Sequence, residues 1–238
     1  MTTTKAGTVA VLFLLSVVLC AQTERVEYDA QFTFTRIQYG SGWGRGGGSW
    51  AHDYPRADQH LPRILAELTT MRLRLDGTNV LRLDEPEIFH NPVLYISEPG
   101  FWTIDDDGVA NLREYLLKGG FLIFDDFEGE AQWGNMAAQM ARVLPEQRFI
   151  EIDVRHPIFH SFFEMKTIDF PHPLVNVMPS YLAMFEGNEA TGRMMVLANY
   201  NNDLAEYWEW SSTGMFPVDV TNEAYKLGVN YIVYAMTH

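Results

Sequence analysis

Cysteine is almost absent from this 238-residue chain, and its single example is Cys20. The segment that contains it, residues 1–21, has the pattern of a secretory signal peptide: Lys5 gives a positive start, an apolar run follows, and Ala21 is a small residue at its end. Cleavage after Ala21 would remove the only thiol. The mature chain is therefore expected to contain no disulfide, no cysteine nucleophile and no thiolate metal ligand.

Two other interpretations of this N-terminal segment are weaker. Its apolar run, residues 9–19, is shorter than the roughly twenty residues that cross a bilayer, which disfavours a transmembrane anchor. A lipoprotein signal would use Cys20, but the preceding Leu19 is not a small residue. We expect an extracytoplasmic protein, periplasmic or secreted, with residues 22–238 as a single domain and with no stable membrane insertion after cleavage.

Basic residues are also scarce. The chain has 17 Lys and Arg residues against 31 Asp and Glu residues, which gives a formal net charge of −14. Such a surface repels nucleic acids and anionic membranes, so we expect neither as a partner. The charge either keeps a soluble protein dispersed or attracts cations and basic partner surfaces.

A complete β-α-β unit occupies residues 93–128. The apolar run at 93–96 predicts a buried strand, and a capped amphipathic helix follows it. A second apolar run at 121–124 ends at two carboxylates, Asp125 and Asp126. Parallel strands of an open sheet end in this way at the edge where ligands bind.

The rest of the chain also alternates between strand and helix patterns, with long loops predicted at 39–54 and 199–216. This alternation predicts an α/β fold with a mostly parallel sheet and helices on both faces. Further strands are predicted at 31–38, 80–83, 148–152, 181–185 and 193–198, the last two as a hairpin, and further helices at Asp58, near Ala131, and at Thr221 or Asn222.

Five stretches of the chain match a known family of domains. They are FTFTRIQYGSGW, YLLKGGFLIFDDF, HPIFHSFFEM, YNNDLAEYW and EAYKLGVNYIVYAMTH. In these stretches, which together cover nearly all of residues 31–238, the chain resembles the bacterial DUF4159 family of domains of unknown function. The resemblance implies a class I glutamine amidotransferase-like, flavodoxin-like three-layer sandwich, and an envelope setting beside von Willebrand factor A domains and AAA ATPases. It implies no established activity.

The chain departs from the amidotransferase-like pattern at the turn where that fold normally carries a cysteine nucleophile. The turn after Ile96 reads Ser-Glu-Pro-Gly, so glutamine hydrolysis through a thioester is excluded. Ser97 is a poor substitute because it is not flanked by the glycines of a G-x-S-x-G elbow.

The first long loop contains a glycine-rich segment, residues 42–47, that formally matches the G-x-G-x-x-G dinucleotide fingerprint. The last glycine of that fingerprint should open a helix, whereas the next predicted helix starts only near Asp58. We interpret the segment as a flexible loop that carries Trp43 over the edge of the sheet. No cofactor is expected.

Acidic residues after the central strand are candidates for metal binding. Asp125, Asp126, Glu128 and Glu130 supply oxygen ligands suited to Mg²⁺ or Ca²⁺. Their spacing does not form an EF-hand loop, and an acidic strand end is equally typical of solvated surface or a helix cap. No metal site is therefore predicted.

His52 and Asp53 form an acid/base candidate in the first loop, because a neighbouring carboxylate raises the basicity of an imidazole. Adjacent residues of a strand point apart, however, so the two side chains need not meet. The catalytic candidates are His52, Asp53 and Asp125.

The second long loop combines amide, carboxylate and aromatic groups, which is typical of sugar-binding surfaces. Its tryptophans alternatively pack on their own domain. We expect both long loops to meet in one cleft at the carboxyl edge of the sheet. The predicted binding residues are Trp43, Glu98, Asp125, Asp126, Asn202, Asp203 and Trp208.

Two classes of function fit this sequence. The first is a non-catalytic binding or assembly module of the bacterial cell envelope, with a glycan or protein partner. The second is a hydrolase-type enzyme that uses carboxylate and histidine groups at the same edge. A cleft that brings together His52, Asp53, Glu98, Asp125 and Asp203 would favour the enzyme.

Overall fold

Residues 29–41 and 49–238 are described by a computed structural model, and within them seven strands form one mixed sheet flanked by helices. The helices are Arg56–Leu68 (α1), Asp106–Leu117 (α2), Gly129–Val143 (α3), Leu204–Trp210 (α4) and Val218–Thr237 (α5). The strands are Thr35–Ile37 (β1), Gly40–Ser41 (β2), Asn79–Leu81 (β3), Val93–Ser97 (β4), Trp102–Thr103 (β5), Phe121–Phe127 (β6), Ile150–Ile152 (β7), Ser180–Phe185 (β8) and Met194–Tyr200 (β9).

The main sheet has the strand order β3-β1-β4-β6-β9-β8-β7. The first five of these strands pair in parallel, whereas β8 pairs antiparallel with β9 and β7 antiparallel with β8. The parallel part follows the flavodoxin-like order, in which the chain reverses direction across the sheet beside β1. The predicted α/β fold and the predicted hairpin are both confirmed.

Alternate residues of the central strands face two separate hydrophobic cores. Tyr95 and Ile123 pack in the core that contains α1, α4 and α5, whereas Leu94 and Leu122 pack in the core that contains α2 and α3. Burial on both faces explains why these strands are continuous apolar runs in the sequence. None of the described helices is long and apolar enough to cross a membrane.

The prediction of a loop at residues 199–216 was wrong. β9 continues to Tyr200, and α4 follows it. Asp203 caps α4, because its side chain accepts a hydrogen bond from the backbone N–H of Glu206 at 2.9 Å. The helix has only seven residues, which is too short for its helical periodicity to stand out in the sequence.

Two predicted helix starts also needed correction. α1 begins at Arg56, ahead of the predicted cap Asp58, which is buried in the first turn of the helix. α5 begins directly after Pro217, ahead of Thr221 and Asn222. Proline suits the start of a helix because its fixed φ is compatible with the first turn, where no N–H donor is needed.

Candidate functional site

Four side chains from three separate segments converge at the carboxyl edge of the parallel strands. They are His52, Asp53, Asp126 and Asp203, and one nitrogen or oxygen of each lies within 4.8 Å of the corresponding atoms of the others. We call these four residues the acidic site. It lies where the segment after β1 meets the ends of β6 and β9, which is the edge that binds ligands in flavodoxin-like folds.

A β-bulge places Asp126 in this site. The pairing of β6 with β9 shifts between Phe124 and Phe127, and Asp126 within the shift has a φ of 62°. Its backbone N–H donates to the carbonyl of Asn202 at 3.1 Å, which fixes the end of β6 to the segment that carries Asp203. Bulges of this kind re-aim side chains beside active sites.

Left-handed backbone conformations are concentrated at this edge of the sheet. Asp53, Glu98, Asp126 and Asn201 have φ values of 63°, 47°, 62° and 58°. Residues other than glycine rarely adopt such values, and they persist where the surrounding structure enforces them, most often at functional sites. Glu98 occupies the turn after β4.

His52 and Asp126 form the closest polar contact of the acidic site. His52 Nδ1 donates to Asp126 Oδ2 at 2.7 Å and lies 3.5 Å from Asp53 Oδ2. The hydrogen bond to Asp126 raises the pKa of His52 to about 10, although burial opposes the shift. The predicted His52 and Asp53 pair therefore does meet, because the two residues lie in a turn rather than a strand.

Asp53 is the most unusual group of the site. Its side chain has no exposed surface, and no donor among the described residues makes a hydrogen bond to either of its oxygens. When it is protonated, Asp53 can share its proton with the carboxylate of Glu206, which contributes to the rise of its pKa. Burial, and then the charge of Asp126, raise the pKa of Asp53 to about 9. Carboxylate oxygens of Glu206 and Glu209 also lie within 4.8 Å of it and of each other. A buried acid with acidic neighbours is costly for the folded state.

Only one of the two carboxylate oxygens of Asp203 accepts a hydrogen bond from the described residues. Its Oδ1 caps α4, whereas its Oδ2 is buried without a hydrogen-bond partner in the described residues. Burial, followed by the charges of Asp126 and Asp53, raises the pKa of Asp203 well above the usual range. The site therefore contains two buried acids, Asp53 and Asp203, that favour the protonated form because their surroundings do not stabilise the negative charge.

Arg36 positions the segment that carries His52. Its guanidinium is fully buried, forms an ion pair with Asp58 at 2.6 Å, and donates to the backbone carbonyls of Trp50 and His52 at 3.0 and 2.8 Å. The sequence prediction missed this residue. The available signal was its place in β1, where it follows Phe32 and Phe34 on the same face and so stands at a buried position.

Asp125, predicted as a catalytic and binding residue, has no exposed surface. Its carboxylate accepts hydrogen bonds from the hydroxyl of Tyr95, the amide of Asn199, and the backbone N–H groups of Leu204 and Ala205, at 2.8 to 3.1 Å. Burial raises its pKa to about 6, and these hydrogen bonds oppose the shift. Asp125 anchors the start of α4 and does not face a ligand cleft.

Asn202 and Trp208 are also buried rather than facing a cleft. Asn202 donates to the hydroxyl of Tyr181 at 3.1 Å and accepts from the backbone N–H of Asp203. Trp208 packs against Tyr95, with ring centroids 6.3 Å apart. Trp43 lies in residues 42–48, outside the described part of the chain.

Two further polar residues near the site were missed by sequence reasoning. Glu206 lies beside Asp53, as described above. His172 is buried, its Nδ1 accepts from the backbone N–H groups of Leu174 and Val175, and its Nε2 has no hydrogen-bond partner among the described residues. Burial lowers its pKa, and the charge of Asp126 opposes that shift. His172 had no signal in the sequence because it lies between Pro171 and Pro173, in a segment without helix or strand.

Comparison with known families identifies the chain. The family described as "Domain of unknown function (DUF4159)" matches residues 33–236, so the chain belongs to the DUF4159 family. No curated protein matches it. The resemblance noted in the sequence is confirmed over nearly its whole extent, and because the family has no assigned function, the acidic site must carry any functional argument.

Proposed function

We propose that this DUF4159 domain is an exported module of the bacterial cell envelope that binds a glycan or protein partner at the acidic site. The observation that carries the proposal is Asp53, a buried acid whose oxygens accept no hydrogen bond from the described residues. Buried polar groups of native proteins are almost always paired, and the exceptions need an explanation. A ligand that supplies the missing partner is such an explanation.

The chemistry of the site defines the part of the ligand that it takes. Carboxylates accept hydrogen bonds, so the ligand must offer donors or positive charge: the hydroxyl groups of a glycan, or the ammonium and guanidinium groups of a protein. Stacking of a sugar on Trp208 is not part of this proposal, because that ring is 2 % exposed. The net charge of −14 supports a ligand of neutral or positive charge.

Export rests on the N-terminal sequence, since residues 1–28 lie outside the described part of the chain. The apolar run and the small Ala21 support cleavage by a signal peptidase. We expect the protein from a bacterial host to have the intact mass of a chain that begins at Gln22. A mass that includes Met1, or a diacylglycerol on Cys20, would overturn the proposal of a cleaved, unlipidated module.

A binding comparison between two asparagine variants tests the proposed site. The purified chain is screened on a glycan array and against purified envelope proteins, and each ligand found is measured again with Asp53→Asn. We expect this variant to bind at least about tenfold more weakly, since asparagine cannot ionise when the ligand binds and offers one acceptor fewer. The control is Asp76→Asn, because the Asp76 side chain is 83 % exposed and lies outside the acidic site. Equal binding by both variants would refute the site.

Asp53→Asn should also stabilise the ligand-free protein, which separates loss of binding from loss of folding. The folded chain keeps the proton of Asp53 up to a pH of about 9, whereas the unfolded chain releases it near a pH of about 4. Wild-type stability therefore falls as the pH rises between these values, and asparagine removes this loss. Urea denaturation at about pH 5.5 and about pH 8.5 should show an advantage of the variant that grows with pH. An advantage that shrinks would contradict the assigned protonation.

A hydrolase-type enzyme is the second candidate, favoured by the hydrogen bond between His52 and Asp126. A histidine oriented by a carboxylate is a common general base. With a pKa of about 10, however, His52 carries its proton at neutral pH and cannot accept another. Ser97 is buried and donates to Asp126 at 3.3 Å, so it is not an activated nucleophile. Hydrolase assays on the same purified protein distinguish the two functions. Substrate turnover that is abolished in His52→Ala would establish an enzyme and overturn the proposal of a non-catalytic module.

A further inference from the structure

We infer that the acidic site binds one divalent transition-metal ion through His52, Asp53, Asp126 and Asp203. The inference rests on the proposed function, because it concerns the same site and names a component through which the site would hold its partner. Acidic residues are common on protein surfaces without a metal ion, so the inference needs observations beyond their presence.

The first observation is the arrangement of the donor atoms. One nitrogen and three carboxylate oxygens lie within 4.8 Å of one another. Donor atoms about 2.1 Å from a shared ion are about 3.4 Å apart in a tetrahedral site, so shifts of up to about one ångström bring the four into coordinating distance. Side-chain rotations of that size require no change in the backbone.

The second observation is independent of the clustering. Asp53 has a fully buried side chain with two unpartnered oxygens, and Asp203 is fully buried with an unpartnered Oδ2, as judged over the described residues. Both are acceptors directed into the same small volume. Arg36, the nearest buried cation, uses its hydrogen bonds on Asp58 and on backbone carbonyls. A metal ion could bond directly to these oxygens, which accept no hydrogen bond, whereas His52 Nδ1 stays 3.5 Å from Asp53 Oδ2.

The donor types define the class of metal. Imidazole nitrogen suits Zn²⁺ and other first-row transition metals, and carboxylates suit Mn²⁺, Mg²⁺ and Ca²⁺. A site with one imidazole and three carboxylates favours Zn²⁺ or Mn²⁺ over Mg²⁺ and Ca²⁺, which prefer oxygen ligands alone. The charges agree, because a doubly positive ion offsets most of the charge of three carboxylates.

The surroundings of the donors meet two further requirements of a metal site. Donors are held in orientation: Asp126 accepts from the hydroxyl of Ser97, and Asp203 accepts from the backbone N–H of Glu206. Hydrogen bonds of this kind orient metal ligands in other proteins. The ion also needs a route from solvent, and the side chain of His52 is 43 % exposed.

The sequence did not predict a metal ion at these four residues, for an identifiable reason. Of the four acids considered for metal binding, only Asp126 belongs to it. The carboxylate of Asp125 already accepts hydrogen bonds from the backbone at the start of α4. The carboxylate of Glu128 accepts a hydrogen bond from the side-chain amide of Gln132 at 3.0 Å. The donors instead come from three segments far apart in the chain, so they form no spacing motif.

Metal titration of the purified chain tests the inference. After chelator treatment and its removal, ZnCl₂ and MnCl₂ are added separately, and binding is followed by calorimetry and by loss of the free Mn²⁺ signal in electron paramagnetic resonance. We expect one ion per chain, and affinities at least about tenfold lower in Asp53→Asn and in His52→Gln. Asp76→Asn should bind as tightly as wild type. Near-ultraviolet circular dichroism confirms that each variant is folded.

Three outcomes would overturn the inference: no binding of either metal, equal affinity in wild type and both site variants, or tighter binding of CaCl₂ or MgCl₂ than of ZnCl₂ and MnCl₂. Failure of the metal site can be distinguished from failure of the proposed function. If the metal-free chain binds its glycan or protein partner and Asp53→Asn does not, the binding module stands without the metal. If metal binds as expected and no partner does, the proposed module fails while the metal site stands.

Discussion

Replacing Ile123 with aspartate should prevent the protein from folding. Ile123 is 4 % exposed in the middle of β6, and it pairs in register with Tyr95 on one side and Leu197 on the other. A buried carboxylate without a partner costs several kcal/mol, which is comparable with the total stability of about 5–15 kcal/mol of a typical domain. Circular dichroism on heating should show no cooperative transition for Ile123→Asp.

Two control variants separate this effect from a general intolerance to mutation. Ile123→Val keeps the apolar character and should cost only about 0.5–1.5 kcal/mol. Leu117→Asp introduces the same charge at a side chain that is 56 % exposed at the end of α2, and it should fold normally. A cooperative transition of Ile123→Asp at the wild-type temperature would refute the position of β6 at the centre of the sheet.

Replacing Asp125 with alanine should cost about 3–5 kcal/mol, because removing one partner from a buried charged network leaves the others unsatisfied. The donors left without an acceptor would be the hydroxyl of Tyr95, the amide of Asn199 and the first N–H groups of α4. Urea denaturation measures the loss. Hydrogen exchange should also show faster exchange at Leu204 and Ala205 in the folded variant.

The matched control is the neighbouring carboxylate. Asp126→Asn weakens the hydrogen bond from His52 but leaves the anchor of α4 intact, so it should cost less stability than Asp125→Ala and leave hydrogen exchange at Leu204 and Ala205 at the wild-type rate. Equal losses in Asp125→Ala and Asp126→Asn would contradict the separate roles that the geometry gives these two residues. Asp125 would then again be a candidate for contact with a ligand.

The fold was predictable because its strongest sequence signals are local. The runs at 93–96 and 121–124 are apolar throughout, since both faces of β4 and β6 are covered, and a capped helix lies between them. The short α4 was not predictable. Its cap and its buried face lie within seven residues, and its start is fixed by Asp125 from a distant strand.

The location of the candidate site was predictable, and its four residues were among the predicted candidates. Topology alone places the loops after β1, β6 and β9 at one edge, and His52, Asp53, Asp126 and Asp203 do lie there. Which of the predicted residues face this site depends on backbone details that a single sequence does not show. Asp125 and Asp126 were both predicted to bind, but the bulge in β6 directs only Asp126 to the site, and α4 turns Trp208 into the core.

The bulge in β6 also makes the order of Asp125 and Asp126 essential. One extra residue interrupts the regular alternation of the strand, so the first aspartate holds a helix and the second faces the acidic site. A one-residue deletion would reverse the side-chain directions of all that follows in the strand. Substitution at position 126, in contrast, changes the chemistry of the site while α4 stays attached. Substitutions at position 126 can therefore change what this edge of the sheet binds, without altering β6 or α4.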